Sequence, residues 1–295
     1  MRRHPVILGI CILLFIGIVF FALLYSFGLY KGVGKSFSLS DKIGVVQIEG
    51  IIADSREVAD QIEEFSKDDA IRAVVLRIDS PGGSVAASQE IYEAVHELRK
   101  KKRVVASMGS IAASGGYLVA VAAERIVANP GTITGSISAV MHFADVQELM
   151  KKVGVRSSVV KSGKFKDIGS PARKMTPEER QLIQGIVDDI YDQFVLVISE
   201  NRKIPLEDVR KMADGRIFSG RQAFNLKLVD ELGGLQDTVL LAGKLAGIAG
   251  KPEIVYSTKK EIGLLRYLIE NAASVVSGEI QRRSAESRGA FYLLE

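Results

Sequence analysis

Two glycine-rich turns hold the residues best suited to chemistry, and each follows an apolar, β-branched run and opens a helical pattern. The second of them, Met108-Gly109-Ser110-Ile111-Ala112-Ala113-Ser114-Gly115-Gly116-Tyr117, sets Ser114 among small residues at the mouth of an Ala-rich helix. A nucleophile needs such a place: little crowding, a helix start, and N–H groups beside the carbonyl under attack. A helix cap would use the same residue, and Ser110 is equally placed to cap. The first turn is Asp79-Ser80-Pro81-Gly82-Gly83-Ser84. Its paired glycines admit positive φ and can turn N–H groups outward, a nest suited to a phosphate or to the oxyanion of a tetrahedral intermediate. Taken alone, it equally fits a tight strand-to-helix turn.

A serine nucleophile needs a base. Of the three histidines, His4 precedes the long apolar run and His96 lies in an amphipathic helix pattern. His142 is the remaining candidate, in a triad with an aspartate such as Asp167. Lysine also serves serine, provided that burial and nearby positive charge bring its pKa from about 10.4 to about 7–8. The segment Lys161-Ser162-Gly163-Lys164-Phe165-Lys166-Asp167-Ile168-Gly169-Ser170-Pro171 supplies three lysines in a glycine-marked turn. Composition and spacing alone do not choose among Lys161, Lys164 and Lys166, and a solvated basic loop reads the same way.

The elements that must position these residues alternate. Strands are expected at Ile43–Ile48, Ala73–Ile78, Arg103–Ser107, Arg125–Ala128 and Ser158–Val160. Helices are expected over Arg56–Ser66, about Ser84–Lys100 and about Gly115–Ala123. Thr176 as cap, Pro177 at the first position and two following glutamates open a mostly helical C-terminal half. Alternation of this kind argues for an α/β domain on a largely parallel sheet.

Bulk properties exclude several classes. Hydrophobic residues are 47% and charged residues 25% of 295, a globular balance. Lys and Arg number 39 against 35 Asp and Glu, and Arg2 and Arg3 precede the apolar run, so no basic footprint for nucleic acid remains. The lone Cys11 can form neither an intrachain disulfide nor a thiolate cluster. The positive mean hydropathy of +0.17 has a local source. From Val6 to Tyr25 no charge occurs, and as a helix that run spans about 30 Å, the thickness of a bilayer core. It exceeds the usual signal-peptide core and reads as an uncleaved anchor, with Arg2 and Arg3 kept cytoplasmic.

Taken in order, DSPGGS, GSIAASGGY, TGSIS and KSGKFKDIGSP, with ADGRIFSGRQAFNLKLVDELGG beyond them, resemble the signal peptide peptidase A family of bacterial Ser-Lys proteases. The resemblance runs from about Ile43 to Gly247. It implies an α/β crotonase/Clp-protease-like domain of repeated β-β-α units, preceded by one transmembrane helix. The expected boundaries are 1–30 for the cytoplasmic stub and anchor, 31–41 for a linker, 42–260 for the peptidase domain and 261–295 for a tail. By the same resemblance Ser114 matches the nucleophile and Lys166 the general base. Ser136 matches a hydroxyl that orients the lysine, and Gly83 and Gly115 match the backbone oxyanion donors. It further implies a homo-oligomeric ring with active sites at subunit boundaries, no cofactor or metal, and cleaved signal peptides or other short apolar peptides as substrates. The implied location is the bacterial plasma membrane, single-pass, with the catalytic domain outside. Two rival readings share the fold: an acyl-CoA enzyme whose glycine turns cradle a thioester enolate, and a non-catalytic scaffold.

Overall fold

The computed structural model describes residues 15–19 and 41–257. The chain divides into two units, 1–40 and 41–295. In the first, residues 15–19 are helical, and the remainder of the expected span Val6–Tyr25 lies outside the described residues, as does the expected tail 261–295. No helix among the described residues is long and apolar enough to cross a membrane.

The second unit is built on an eight-stranded sheet. Three long parallel strands form its centre: β1 (Lys42–Ile52), β2 (Ile71–Gly83) and β3 (Arg103–Ala113). Their first halves read as unbroken apolar runs because both faces are covered. Val46, Val74, Leu76, Val104 and Met108 face the main core. Ile43, Val45, Ala73, Val75 and Val105 face a second core closed by Val239 and Ala242 of α8 (Leu235–Leu245). The main core is filled by α1 (Arg56–Lys67), α2 (Val85–Arg99), α3 (Gly115–Val121) and α5 (Pro177–Arg202).

The strands run well past the lengths that the sequence suggests, because each continues into a second section of sheet. Register shifts fall between Glu49 and Ile51 and between Ile78 and Ser80, after which Ile52 pairs with Gly83 and Ser80 with Ala112. Along β3, residues 105–108 pair with β4 (Arg125–Ala128), whereas Ile111–Ala113 pair with β5 (Ile133–Gly135). Each long strand is therefore two end to end, separated by an irregularity that bends it. This mixed α/β sheet is consistent with a Clp- or crotonase-like fold. β6 (Ile217–Ser219) adds antiparallel to β5, β7 (Glu231–Leu232) pairs with β4, and β8 (Glu253–Tyr256) pairs with β1. The short helices α4 (Gln147–Lys152), α6 (Leu206–Met212) and α7 (Gly220–Asn225) complete the order.

One expected strand is absent. Residues 158–160 carry no ladder pairing, and Val160 is 99% exposed. The β-branched composition there has no neighbouring strand to receive its N–H and C=O groups, and propensity without a partner makes no sheet. The α5 start, in contrast, forms as expected. The Thr176 hydroxyl accepts from Glu179 N and the Glu179 carboxylate accepts from Thr176 N, a complete capping box with Pro177 at the first position.

Candidate active site

Ser114 sits where β3 stops and α3 starts, with φ 53° and ψ −123°, a backbone conformation that a residue with a Cβ rarely adopts. Strain of this kind costs about 1–3 kcal/mol and persists only where the surroundings hold it. Here two bonds hold it: Ser114 N donates to Gly135 O at 2.8 Å, and Leu118 N donates to Ser114 O at 3.0 Å. The turn places Ser114 at the carboxyl end of β3 and the start of α3, on the wall of a cavity, the arrangement of a nucleophile elbow. Behind it, α3 is buried almost throughout, and Tyr117 donates its hydroxyl to Leu228 O at 2.9 Å. Burial pushes the Tyr117 phenol far above its usual range, so it stays neutral and structural.

The two glycine turns meet at Ser114. A Cβ on Gly82 would lie 2.6 Å from Gly115 N and 2.9 Å from Ser114 Cβ, and one on Gly115 would lie 3.4 Å from Gly83 N and 2.3 Å from Ser88 Oγ. Only backbone without side chains allows this approach. The Asp79-Ser80 part of the first turn braces the junction. Asp79 accepts from Ile111 N at 3.1 Å, and the Ser80 hydroxyl, fully buried, accepts from Gly82 N at 3.1 Å. Ser114, Gly83 and Gly115 together line a pocket of about 410 Å³ whose apolar walls include Val85, Leu118, Phe194 and Val197, with Gln89, Glu93 and Gln193 among its polar ones. The pocket was not legible in the sequence, since α5, which closes it, lies far along the chain from α2 and α3. Ile190, Phe194 and Val197, spaced along one face of α5, were the available signal.

Ser136 follows Gly135, whose carbonyl receives the Ser114 N–H, and it too has positive φ, 50°, held by its N–H donating to Arg216 O at 2.8 Å. The fold therefore places Ser136 one peptide from the Ser114 backbone. Lys166 is not brought into this pocket: it is exposed on the loop after α4, outside the residues lining the Ser114 cavity. The loop does separate its three lysines. Lys161 donates to Asp167 and to Lys164 O, and Lys164 pairs with Glu178 and lies 5.2 Å over the Phe165 ring. Among the described residues, Lys166 Nζ has neither hydrogen bond nor ion pair. His142 lines a different and larger cavity of about 690 Å³, between residues 139–145 and α5. The Asp167 carboxylate is occupied by Arg173 and Lys161, which hold it well below the usual carboxylate range. No cluster of metal-ligating side chains occurs among the described residues.

Residues 96–249 match the family model described as Peptidase family S49, a span that includes Ser114, Ser136 and Lys166. The chain belongs to peptidase family S49. Residues 39–132 also match the model described as Clp protease. A putative protease of Synechocystis sp. is 43% identical over 212 residues, 72% of this chain and 76% of that protein. A putative protease of Methanocaldococcus jannaschii is 37% identical over 244 residues, 82% and 78% of the two chains. A putative signal peptide peptidase of Enterococcus faecium is 33% identical over 212 residues, 67% and 62% of the two. As an S49 member the protein is a serine protease of the signal-peptide-peptidase-like kind, and the acyl-CoA and scaffold readings fall.

Proposed function

We propose that this S49 protease works through a Ser-Lys dyad of Ser114 and Lys166, on remnant signal peptides or other short apolar peptides. The observation that carries the reading is Ser114 itself, held in a strained elbow at the mouth of an apolar pocket with the Gly83 and Gly115 backbones beside it. The neutral Lys166 amine takes the Ser114 proton, and Oγ attacks the peptide carbonyl. The oxyanion forms against the Gly83 and Gly115 N–H groups, which act where charge develops and so stabilise the transition state most. Lys166 returns the proton to the leaving amine, and water, deprotonated by the same amine, releases the acyl group from Ser114. Ser136 orients the amine.

Lys166 is favoured over its neighbours because the Lys161 and Lys164 amines are tied to Asp167 and Glu178, whereas the Lys166 amine has no such partner among the described residues. Its exposure and its place outside the lining of the Ser114 pocket support a site completed by a second copy of the chain, Lys166 of one subunit meeting Ser114 of the next. The apolar run Val6–Tyr25 then anchors the assembly in the bacterial plasma membrane, with the amino terminus cytoplasmic and the protease domain outside.

The test is hydrolysis of a fluorogenic leucine-rich peptide by the full chain in detergent, compared with its Ser114→Ala, Lys166→Ala and His142→Ala variants. Loss of activity in the first two and retention in the third is expected. An active Lys166→Ala chain, or an inactive but folded His142→Ala chain, overturns the dyad.

A further inference from the structure

Lys166 is followed directly by an aspartate, which is an unfavourable neighbour for an amine that must be uncharged to act. The structure shows where that carboxylate goes. Arg173 forks onto it, Nε donating to Asp167 Oδ2 and Nη2 to Oδ1, both at 2.8 Å, and Lys161 adds a third donor. The opposite edge of the same guanidinium forks onto Glu179, with Nη1 donating to Oε2 at 2.8 Å and Nη2 to Oε1. Glu179 is in turn the buried capping-box residue of α5. One planar side chain thus clamps the lysine loop to a rigid helix start through two bidentate pairs, a task that a lysine's single ammonium cannot reproduce.

We propose that Arg173 is a positioning residue for the base: it sequesters the Asp167 carboxylate, so that Asp167 cannot pair with the adjacent Lys166 amine, and it fixes the loop that presents this amine. This rests on the reading of Lys166 as general base. Other charged groups around the loop are Lys161 and Lys164 on the loop itself, Lys174 after it, and Glu178 and Arg180 on α5. His142 and Asp145 face it from residues 139–145 across the larger cavity. Of the acids among these, Glu178 is held by Lys164 and Asp145 accepts from Gln147 N at 3.0 Å, which leaves Asp167 as the carboxylate adjoining Lys166 in the chain.

With Arg173 replaced by methionine, Asp167 keeps Lys161 on Oδ1, but its Oδ2 loses its donor and favours the charged, inactive form of the adjacent Lys166 amine. The test is the pH dependence of kcat/KM for the full chain on the leucine-rich peptide, in R173M, D167N and the double variant R173M/D167N. The acidic limb is expected to move up by about 1 pH unit in R173M, the usual effect of an opposite charge at close range, so that activity at pH 7 falls about tenfold. Adding D167N should return the limb to its parental position, and D167N alone should leave it there or lower. A limb that stays put in R173M, or stays shifted in the double variant, overturns the proposal. So does an R173M chain without activity that D167N fails to revive, the pattern of a merely structural arginine. An active K166A chain would instead remove the base assignment on which the proposal depends, which separates the two failures.

Discussion

At the scale of single residues, the site is made by side chains that are missing. A methyl on Gly115 would lie 3.4 Å from Gly83 N and would meet Ser88 Oγ at 2.3 Å. Gly115→Ala is expected to cost about 1–3 kcal/mol through overpacking. It should also lower kcat far more than KM, because the displaced N–H serves only the transition state. Adding Ser88→Gly should recover stability but little kcat, as urea unfolding and steady-state kinetics would show. Tyr117 offers a contrasting case within the same motif. Tyr117→Phe leaves the buried Leu228 carbonyl without its donor, so a loss of about 1–3 kcal/mol in stability with kcat nearly unchanged is expected.

At the scale of elements, the decisive event is the bending of three parallel strands at their carboxyl ends. The shift after Ile78 carries β2 to pair with the end of β3, and this sets the turn at Gly83 against the turn at Ser114. The helices that leave those turns, α2 and α3, then wall the pocket with α5 as its third side. Leu118, one turn into α3 and nearly buried, faces this space. Leu118→Phe should fill part of it and lower kcat/KM for leucine-rich peptides about tenfold or more, with a smaller effect on peptides bearing alanine beside the scissile bond. A Leu118→Phe enzyme with unchanged selectivity would show that this pocket does not receive the substrate side chain.

At the scale of the whole molecule, two properties follow. The first is acid lability. Arg173, and then the Thr176 N–H, lower Glu179 from 4.5 to about 2, and Asp167 is lowered from 3.8 by Arg173 and Lys161. Depressed carboxylates stabilise the folded chain fully above their ordinary values, and this contribution disappears as pH falls through the folded ones. Stability should therefore decline from about pH 4.5 toward about 2. Glu179→Gln, although less stable at neutral pH, should decline less steeply in urea titrations across that window. The second property is assembly. If the dyad forms between copies, mixing inactive Ser114→Ala and Lys166→Ala chains under conditions of subunit exchange should restore activity, since some neighbours then present an intact serine to an intact lysine. Persistent inactivity of the mixture, with exchange verified, would place both residues of each dyad in one copy.

Much of this protein was determined by local sequence. Turn chemistry marked Gly83 and Ser114, apolar runs marked the buried strands, and Thr176-Pro177 with Glu179 marked the start of α5, because each depends on groups a few residues apart. The false strand at residues 158–160 shows the limit of that logic, since β-branched residues make a strand only when another strand lies beside them. Tertiary structure alone decided which helices wall the pocket and that the two glycine turns share it. It also decided which lysine remains unpaired: Lys161, Lys164 and Lys166 are chemically the same side chain in one short loop. The carboxylates of Asp167 on the loop and Glu178 on α5 distinguish them, and ion pairs are set by where the folded backbone brings charges together, not by the order in which they occur.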